Sequence, residues 1–157
     1  MRILVVSDTH GDFYSLKKAI DEQKQAEVVI HCGDSRDELD EIKMMYPDKA
    51  FYCVKGNCDL GSTLPTVETV TLEGKKFFIT HGHMHNVKLS PYPLCCAARE
   101  ENADIVLFGH THNALSEYDD GLYILNPGSL SGYFASYGYI DISDSGVVTN
   151  IVKLKKM

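Results

Sequence analysis

Residues 109–113, Gly-His-Thr-His-Asn, close the apolar run Asp-Ile-Val-Leu-Phe (104–108) with two histidines one residue apart. On an extended backbone His110 and His112 point to the same side, which is ligand geometry; a pair of exposed loop histidines is the plainer alternative. Four other polar clusters decide between them, each following an apolar run: Ser-Asp-Thr-His (7–10), His-Cys-Gly-Asp-Ser (31–35), Lys-Gly-Asn-Cys-Asp (55–59) and Thr-His-Gly-His (80–83). They add Asp8, His10, Asp34, Asn57 and His81 to His110 and His112. Seven oxygen and nitrogen donors exceed what one tetrahedral zinc takes and suffice for two metal positions with room for water. Two dications, two carboxylates and one hydroxide leave a formal charge of about +1, which attracts a phosphate ester. The neutral amide of Asn57 preserves that excess. Gly33, Gly56 and Gly109 precede ligands, where glycine permits the backbone angles that turn a side chain inward.

The elements that must position these groups alternate in the first half of the chain. A strand over 2–7, a helix over 13–25 with apolar residues at Phe13, Leu16, Ala19 and Ile20, and a strand over 27–32 make a βαβ unit. A helix over 36–46, on Leu39, Ile42 and Met45, stops at Pro47 and leads to a third strand at 50–56. Residues 66–72 and 75–82 flank Glu-Gly-Lys as a hairpin, 93–103 read as a helix, 104–110 as a buried strand, and 114–129, 136–143 and 147–155 as hairpin-like strands. Every donor cluster then falls at the carboxyl end of a strand, the edge at which open α/β sheets bind ligands.

Length and composition set the frame. The 157 residues are 44% hydrophobic and 24% charged, with twelve glycines and no tryptophan, and fit one domain over 1–157. No apolar run approaches the roughly 20 residues of a spanning helix, and the four apolar residues after Arg2 are too few for a signal-peptide core, so a cytoplasmic protein with no membrane partner is expected. Cys32, Cys53, Cys58, Cys95 and Cys96 form no disulfide or zinc-knuckle spacing and read as reduced thiols. A net charge of −7, from 15 basic and 22 acidic residues, disfavours capture of duplex nucleic acid. The terminal lysines read as the solvated edge of a last strand.

The motifs D-x-H, G-D, G-N-C-D, T-H-G-H and G-H-T-H, in this order and over essentially the whole chain, resemble the calcineurin-like metallophosphoesterases. Asn-Pro-Gly-Ser at 126–129 and the compact size are similar to the small YfcE-type phosphodiesterase branch. The resemblance implies a four-layered α/β/β/α sandwich with two facing mixed sheets. It also implies two metals: Asp8, His10, Asp34 and His112 at the first, Asp34 bridging, and Asn57, His81 and His110 completing the second. A hydroxide shared by the metals would attack a small phosphodiester, with no protein nucleophile. Manganese heads the candidate cations, ahead of nickel, iron, cobalt and zinc, among which donor chemistry does not choose. Homo-oligomerisation is compatible with the resemblance.

Many members carry G-N-H-D where this sequence has Cys58, and that histidine with the following aspartate protonates the leaving group. A thiol donates weakly, so diesters with acidic leaving groups are the better substrates; a packing role for Cys58 weighs equally. Asn57, Cys58, Asp59 and His83 complete the candidate catalytic set: Asp59 orients Asn57 or a water, or caps a turn, and His83 touches a ligand or substrate. His31 reads as a hydrogen-bonded core residue, His85 as exposed, Cys95 and Cys96 as helix packing, and the aromatics of 133–140 as sheet packing or an oligomer contact. Two rivals share the fold: a noncatalytic scaffold resembling the retromer sorting subunit, and a nuclease, for which cap-domain residues and basic charge are missing.

Overall fold

The computed structural model describes residues 1–156. Its strands are β1 (Arg2–Val6), β2 (Val28–His31), β3 (Ala50–Cys53), β4 (Val67–Leu72), β5 (Lys75–Thr80), β6 (Ile105–Leu107), β7 (Leu115–Asp119), β8 (Leu122–Asn126), β9 (Ser136–Ser143) and β10 (Gly146–Lys153). Its α-helices are α1 (Phe13–Glu22), α2 (Glu38–Met45) and α3 (Tyr92–Glu100), with one short 3-10 turn at His83–His85. Two five-stranded sheets form, in the orders β10-β9-β1-β2-β3 and β4-β5-β6-β8-β7. Each is mixed. The β1-β2-β3 and β5-β6-β8 runs are parallel, and the flanking strands pair antiparallel.

Alternation along the strands builds the layers. In β1, Ile3 and Val5 join Ile30, Phe77, Ile79, Ile105, Leu107, Leu125 and Ile140 in the core between the sheets. Leu4 and Val6 turn the other way, against Leu16, Ala19 and Ile20 of α1 and Leu39 and Ile42 of α2. On the far side, Phe78, Val106 and Ile124 receive Leu94, Cys95 and Ala98 of α3. The result is the expected α/β/β/α sandwich, and burying each of its Val, Leu, Ile and Phe side chains contributes about 1.5–3 kcal/mol. No helix among the described residues is long and apolar enough to cross a membrane.

Helix ends differ from the periodicity for local reasons. Asp12 caps α1 by accepting from Ser15 N and Oγ at 3.0 and 2.7 Å, and α1 stops at Glu22 rather than 25 because the Gln23 N–H caps onto Ala19 and Ile20 while its side chain reaches Tyr137. Helix α2 starts at Glu38 rather than 36, since Arg36 holds φ at 97°. Helix α3 ends at Glu100 rather than 103, with Asn102 at a φ of 55°. The C-terminal lysines are not all strand edge: β10 ends at Lys153, and Lys156 reaches Asp12 at 2.7 Å. Of the aromatics in 133–140, Tyr137 is buried and Tyr139 stacks under Arg2 at 4.2 Å, whereas Tyr133 and Phe134 are exposed and pack edge-on against each other.

His31 is the core histidine expected at the end of β2. It is fully buried, Nδ1 accepts from Gly33 N at 3.1 Å, and Nε2 donates to Thr9 Oγ1 at 2.9 Å, which in turn donates to Glu38. Burial lowers its pKa from 6.5 to about 4. Between those values the unfolded chain binds a proton that the folded chain refuses, so the stability due to the neutral ring is complete above pH 6.5 and lost as pH falls toward 4. Urea unfolding should therefore show wild type losing up to about 3 kcal/mol relative to His31→Gln between pH 7 and pH 4; parallel pH profiles would contradict this assignment.

Candidate metal centre

Five loops at the carboxyl ends of β1, β2, β3, β5 and β6 meet at one edge of the sandwich. They bring all seven expected donors together. Asp8 Oδ1 lies 3.0 Å from His112 Nε2 and 3.7 Å from His10 Nε2. His81 Nε2 lies 3.3 Å from Asp34 Oδ2, 3.1 Å from Asn57 Oδ1 and 3.2 Å from His110 Nδ1. The two groups adjoin, with Asp8 Oδ1 3.9 Å from His81 Nε2. Donors sharing one cation through bonds of about 2.1 Å lie about 3.0–3.4 Å apart, the spacing seen in the second group and at His112.

The remaining lone pairs are taken by the protein, which aims the free ones. Asp8 is fully buried, and its Oδ2 accepts from Ser7 Oγ and His110 N at 2.6 and 3.1 Å, leaving Oδ1 to face the imidazoles. Asp34 Oδ1 accepts from Cys58 N at 2.9 Å, leaving Oδ2 to face His81. His81 Nδ1 lies 2.8 Å from the Cys32 carbonyl, which can only accept, so Nδ1 carries the proton and Nε2 presents its lone pair to Asp34 and Asn57, both acceptors. A cation satisfies this arrangement, and a second ring proton is the metal-free substitute. Burial opposes that proton, but the Asp34 hydrogen bond and the Asp8 and Asp34 charges outweigh it and raise the His81 pKa. For Asp34, burial opposes ionisation, and His81 with the Cys58 N–H outweighs it, holding the carboxyl far below its usual range.

The backbone achieves the convergence differently from the sequence expectation. Strand β6 ends at Leu107, so His110 and His112 do not share a strand face; they sit in a turn at φ 67° and 60°. Asp8, His10 and Asp34 are also left-handed, at 53°, 49° and 56°, so the unusual angles lie mainly on the ligands. Of the three glycines, Gly33 alone has a positive φ, 101°. Gly56 and Gly109 act by close approach: a Cβ on Gly56 would overlap Asp34 Oδ1, and one on Gly109 would overlap Ser7 Oγ and Asp8.

The neighbouring residues divide. Asp59 does not orient Asn57 through a direct bond; its Oδ2 accepts from Asp34 N and Gly56 N at 2.8 and 2.7 Å, tying the second and third loops together, while Oδ1 is buried without a partner among the described residues. Cys58 is exposed at the edge of the cluster. Its Sγ and the donor atoms of His10 and Asp34 all lie within 4.8 Å of one another. His83 packs its ring 5.5 Å from that of His81 and 6.1 Å from that of His110. His85 is half-buried rather than exposed, because its ring stands edge-on to Phe78. Supports that the sequence reading left unassigned are Ser7, Thr111, Asn126 and Ser129. Asn126 donates to Gly109 O and Thr111 Oγ1 at 3.0 and 2.9 Å and accepts from Gly128 N, and Ser129 Oγ donates to Asp8 O at 2.8 Å. The Asn-Pro-Gly-Ser motif was their visible signal.

Fold and site together define a two-sheet α/β protein with a mixed carboxylate, amide and imidazole cluster suited to divalent cations. Residues 1–145 match the model of the calcineurin-like phosphoesterase superfamily domain, and the chain belongs to that family. It is similar to the probable metallophosphoesterase YsnB of Bacillus subtilis, 38% identical over 133 residues covering 83% of this chain and 75% of that one. It is similar also to the phosphodiesterase MJ0936 of Methanocaldococcus jannaschii, 31% identical over 92% and 93% of the two chains. The crystal structure of a conserved protein from Streptococcus pneumoniae, described as a phosphoesterase by prediction, superposes with a TM-score of 0.83 at 30% identity over 97% of this chain and 88% of that one. Both branches weighed from the sequence are represented: the Escherichia coli phosphodiesterase YfcE at 28% identity over 90% of this chain and 88% of that one, and Schizosaccharomyces pombe Vps29 at 42% over half of this chain and 42% of that one.

The overlaps at Gly56 and Gly109 lead to a direct expectation. Gly56→Ala and Gly109→Ala should each weaken binding of a divalent cation such as Mn²⁺ by about 10–100-fold, as disturbed ligand supports do, with the far-ultraviolet circular dichroism retained. Gly61→Ala, at φ 76° with nothing within 4 Å of the added atom, should leave the calorimetric affinity unaltered.

Proposed function

We propose that the protein is a metal-dependent phosphodiesterase acting on small phosphodiesters. The observation that carries this reading is the His81 environment, a fixed lone pair converging with Asp34 Oδ2, Asn57 Oδ1 and His110 Nδ1 at 3.1–3.3 Å, beside the Asp8, His10 and His112 group. Asp8, His10, Asp34 and His112 would hold one cation, and Asp34, Asn57, His81 and His110 a second. When bound, the two cations supply a water of lowered pKa as nucleophile and neutralise charge building on the phosphoryl oxygens.

The chain's own residues do the rest. Asp34 would belong to both sets, its Oδ2 facing His81 and its Oδ1 held by the Cys58 N–H. Asn57 contributes an oxygen without charge, which keeps the site attractive to an anion. In the metal-free chain desolvation first, then the Asp34 charge, push the Cys58 thiol above its ordinary range, and a thiol, as a weak donor, protonates a leaving oxygen poorly. That favours diesters whose leaving groups depart as stable anions. Asp59 holds the Asp34 and Gly56 backbones, and the His83 ring flanks those of His81 and His110. The relatives named phosphodiesterase support hydrolysis of diesters. All seven donors are retained, which a surface used only to present itself to proteins does not require.

Chelation should abolish hydrolysis of a nitrophenyl diester, and Mn²⁺ or a similar dication should restore it; full activity in chelated protein would sink the proposal. Asp34→Asn, which keeps the shape and removes the shared charge, should lower the rate at least about a hundredfold, whereas His85→Ala, whose ring faces Phe78, should alter it little.

Cys58→His tests the substrate class. A well-placed general acid is worth roughly 10²–10⁴-fold, and Asp59, the following residue, is the candidate to hold a new imidazole. The rate on 2′,3′-cyclic nucleotides, whose alkoxide needs a proton, should rise, and that on nitrophenyl diesters should stay nearly constant at equal metal content. A uniform change across leaving groups would assign Cys58 to packing.

A further inference from the structure

Arg36 is accounted for neither by the fold nor by the metal centre. Two residues past Asp34, it holds φ at 97°, a backbone state that a bulky L-residue keeps only where its surroundings enforce it. The other two arginines are engaged, Arg2 with Asp141 and Arg99 with Asp119; Arg36 is exposed and pairs with no carboxylate among the described residues. Its Cδ lies 3.5 Å from where a Cβ on Gly11 would stand, so its stem crosses the turn that follows His10. The residue lines a cleft of about 670 Å³ whose wall includes Cys58 and Asp59. Because Cys58 Sγ lies within 4.8 Å of donor atoms of His10 and Asp34, the cleft opens directly beside the metal centre.

We propose that this cleft receives one ester arm of the substrate and that Arg36 binds a second phosphate carried on that arm. The preferred substrates are then nucleotide-type diesters bearing a further phosphate, rather than diesters with two uncharged arms. A guanidinium offers a phosphate two parallel N–H donors, and this one is not already paired with a carboxylate among the described residues. Asp37, Asp40 and Lys43 also line the cleft; the two carboxylates repel a phosphate, and of the two cations only Arg36 offers it paired N–H donors. Leu60 and Leu64 give the same cleft apolar surface for a base. The inference rests on the phosphodiesterase reading for its chemistry but not for its binding test.

The experiment compares the nitrophenyl ester of thymidine 5′-phosphate with and without a 3′-phosphate, on Mn²⁺-loaded wild type and Arg36→Gly. Wild type should favour the 3′-phosphorylated ester about tenfold or more in kcat/KM, mainly through KM, and in Arg36→Gly the ratio should fall to about one. Glycine suits the positive φ, so the variant's Tm should not drop, which separates lost recognition from lost folding. Calorimetry of thymidine 3′,5′-bisphosphate against thymidine 5′-phosphate gives the same ratio without turnover. A bisphosphate preference that disappears in Arg36→Gly supports the subsite even if no diester is hydrolysed, an outcome that would overturn the phosphodiesterase reading alone. A wild-type ratio near one, or a ratio that Arg36→Gly leaves intact, overturns the subsite.

Discussion

Holding two carboxylates where water barely reaches them is the constraint on which this structure turns. Asp8 is fully buried and Asp34 nearly so, and a bare carboxylate in such a place is costly. Each is held by one oxygen through N–H and O–H donors, from Ser7 and His110 for Asp8 and from Cys58 for Asp34, while the other oxygen is turned toward imidazole. The close contacts at Gly56 and Gly109, the left-handed ligand residues and the buried Asn126 all serve to bring those donors within reach. Strands contribute by ending where they do, and the inter-sheet core of Ile3, Phe77, Ile79 and Leu107 keeps their ends in register.

Much of this was legible in the sequence because periodicity and composition report burial. The alternation of Ile3 and Val5 with Leu4 and Val6, and the Leu16, Ala19, Ile20 stripe, place strands and helix correctly. The donor clusters were legible because their residue types are expensive to gather unless something binds them. Less legible was the path of the backbone. Nothing in Gly-His-Thr-His distinguishes an extended segment from a turn with both histidines at positive φ, since the state is enforced by Asn126 and Asp8, which lie far away in sequence. The same applies to Asp59, whose bonds to Asp34 N and Gly56 N are tertiary, and to His85, whose burial depends on Phe78 from a neighbouring strand. Helix ends were displaced where a side chain found a long-range partner, as Gln23 does with Tyr137.

Rigidity at this edge follows from the number of independent ties. Thr9, His31 and Glu38 join the first two loops and α2 beneath the ligands, Asp59 joins the second and third, and Asn126 with Ser129 joins the β6 loop to the first. A site assembled this way needs little ordering when an ion arrives, so binding energy is retained as affinity rather than consumed in folding loops. The side chains of Cys58 and Arg36 stand outside these ties, at the rim, although the Cys58 backbone N–H holds Asp34.

The origin of the donors carries a mechanical consequence. All the oxygen donors, Asp8, Asp34 and Asn57, descend from the sheet that contains β1, β2 and β3, as does His10, whereas His81, His110 and His112 descend from the sheet that contains β5 and β6. Any ion shared between the two groups is a rivet through the sandwich. Apolar packing alone resists separation of the sheets more than it resists their sliding, because it has no preferred direction within the plane, whereas directional ligand bonds at one edge oppose shear. Loaded and unloaded protein would then share one shape yet differ in stiffness along the plane where the two halves meet.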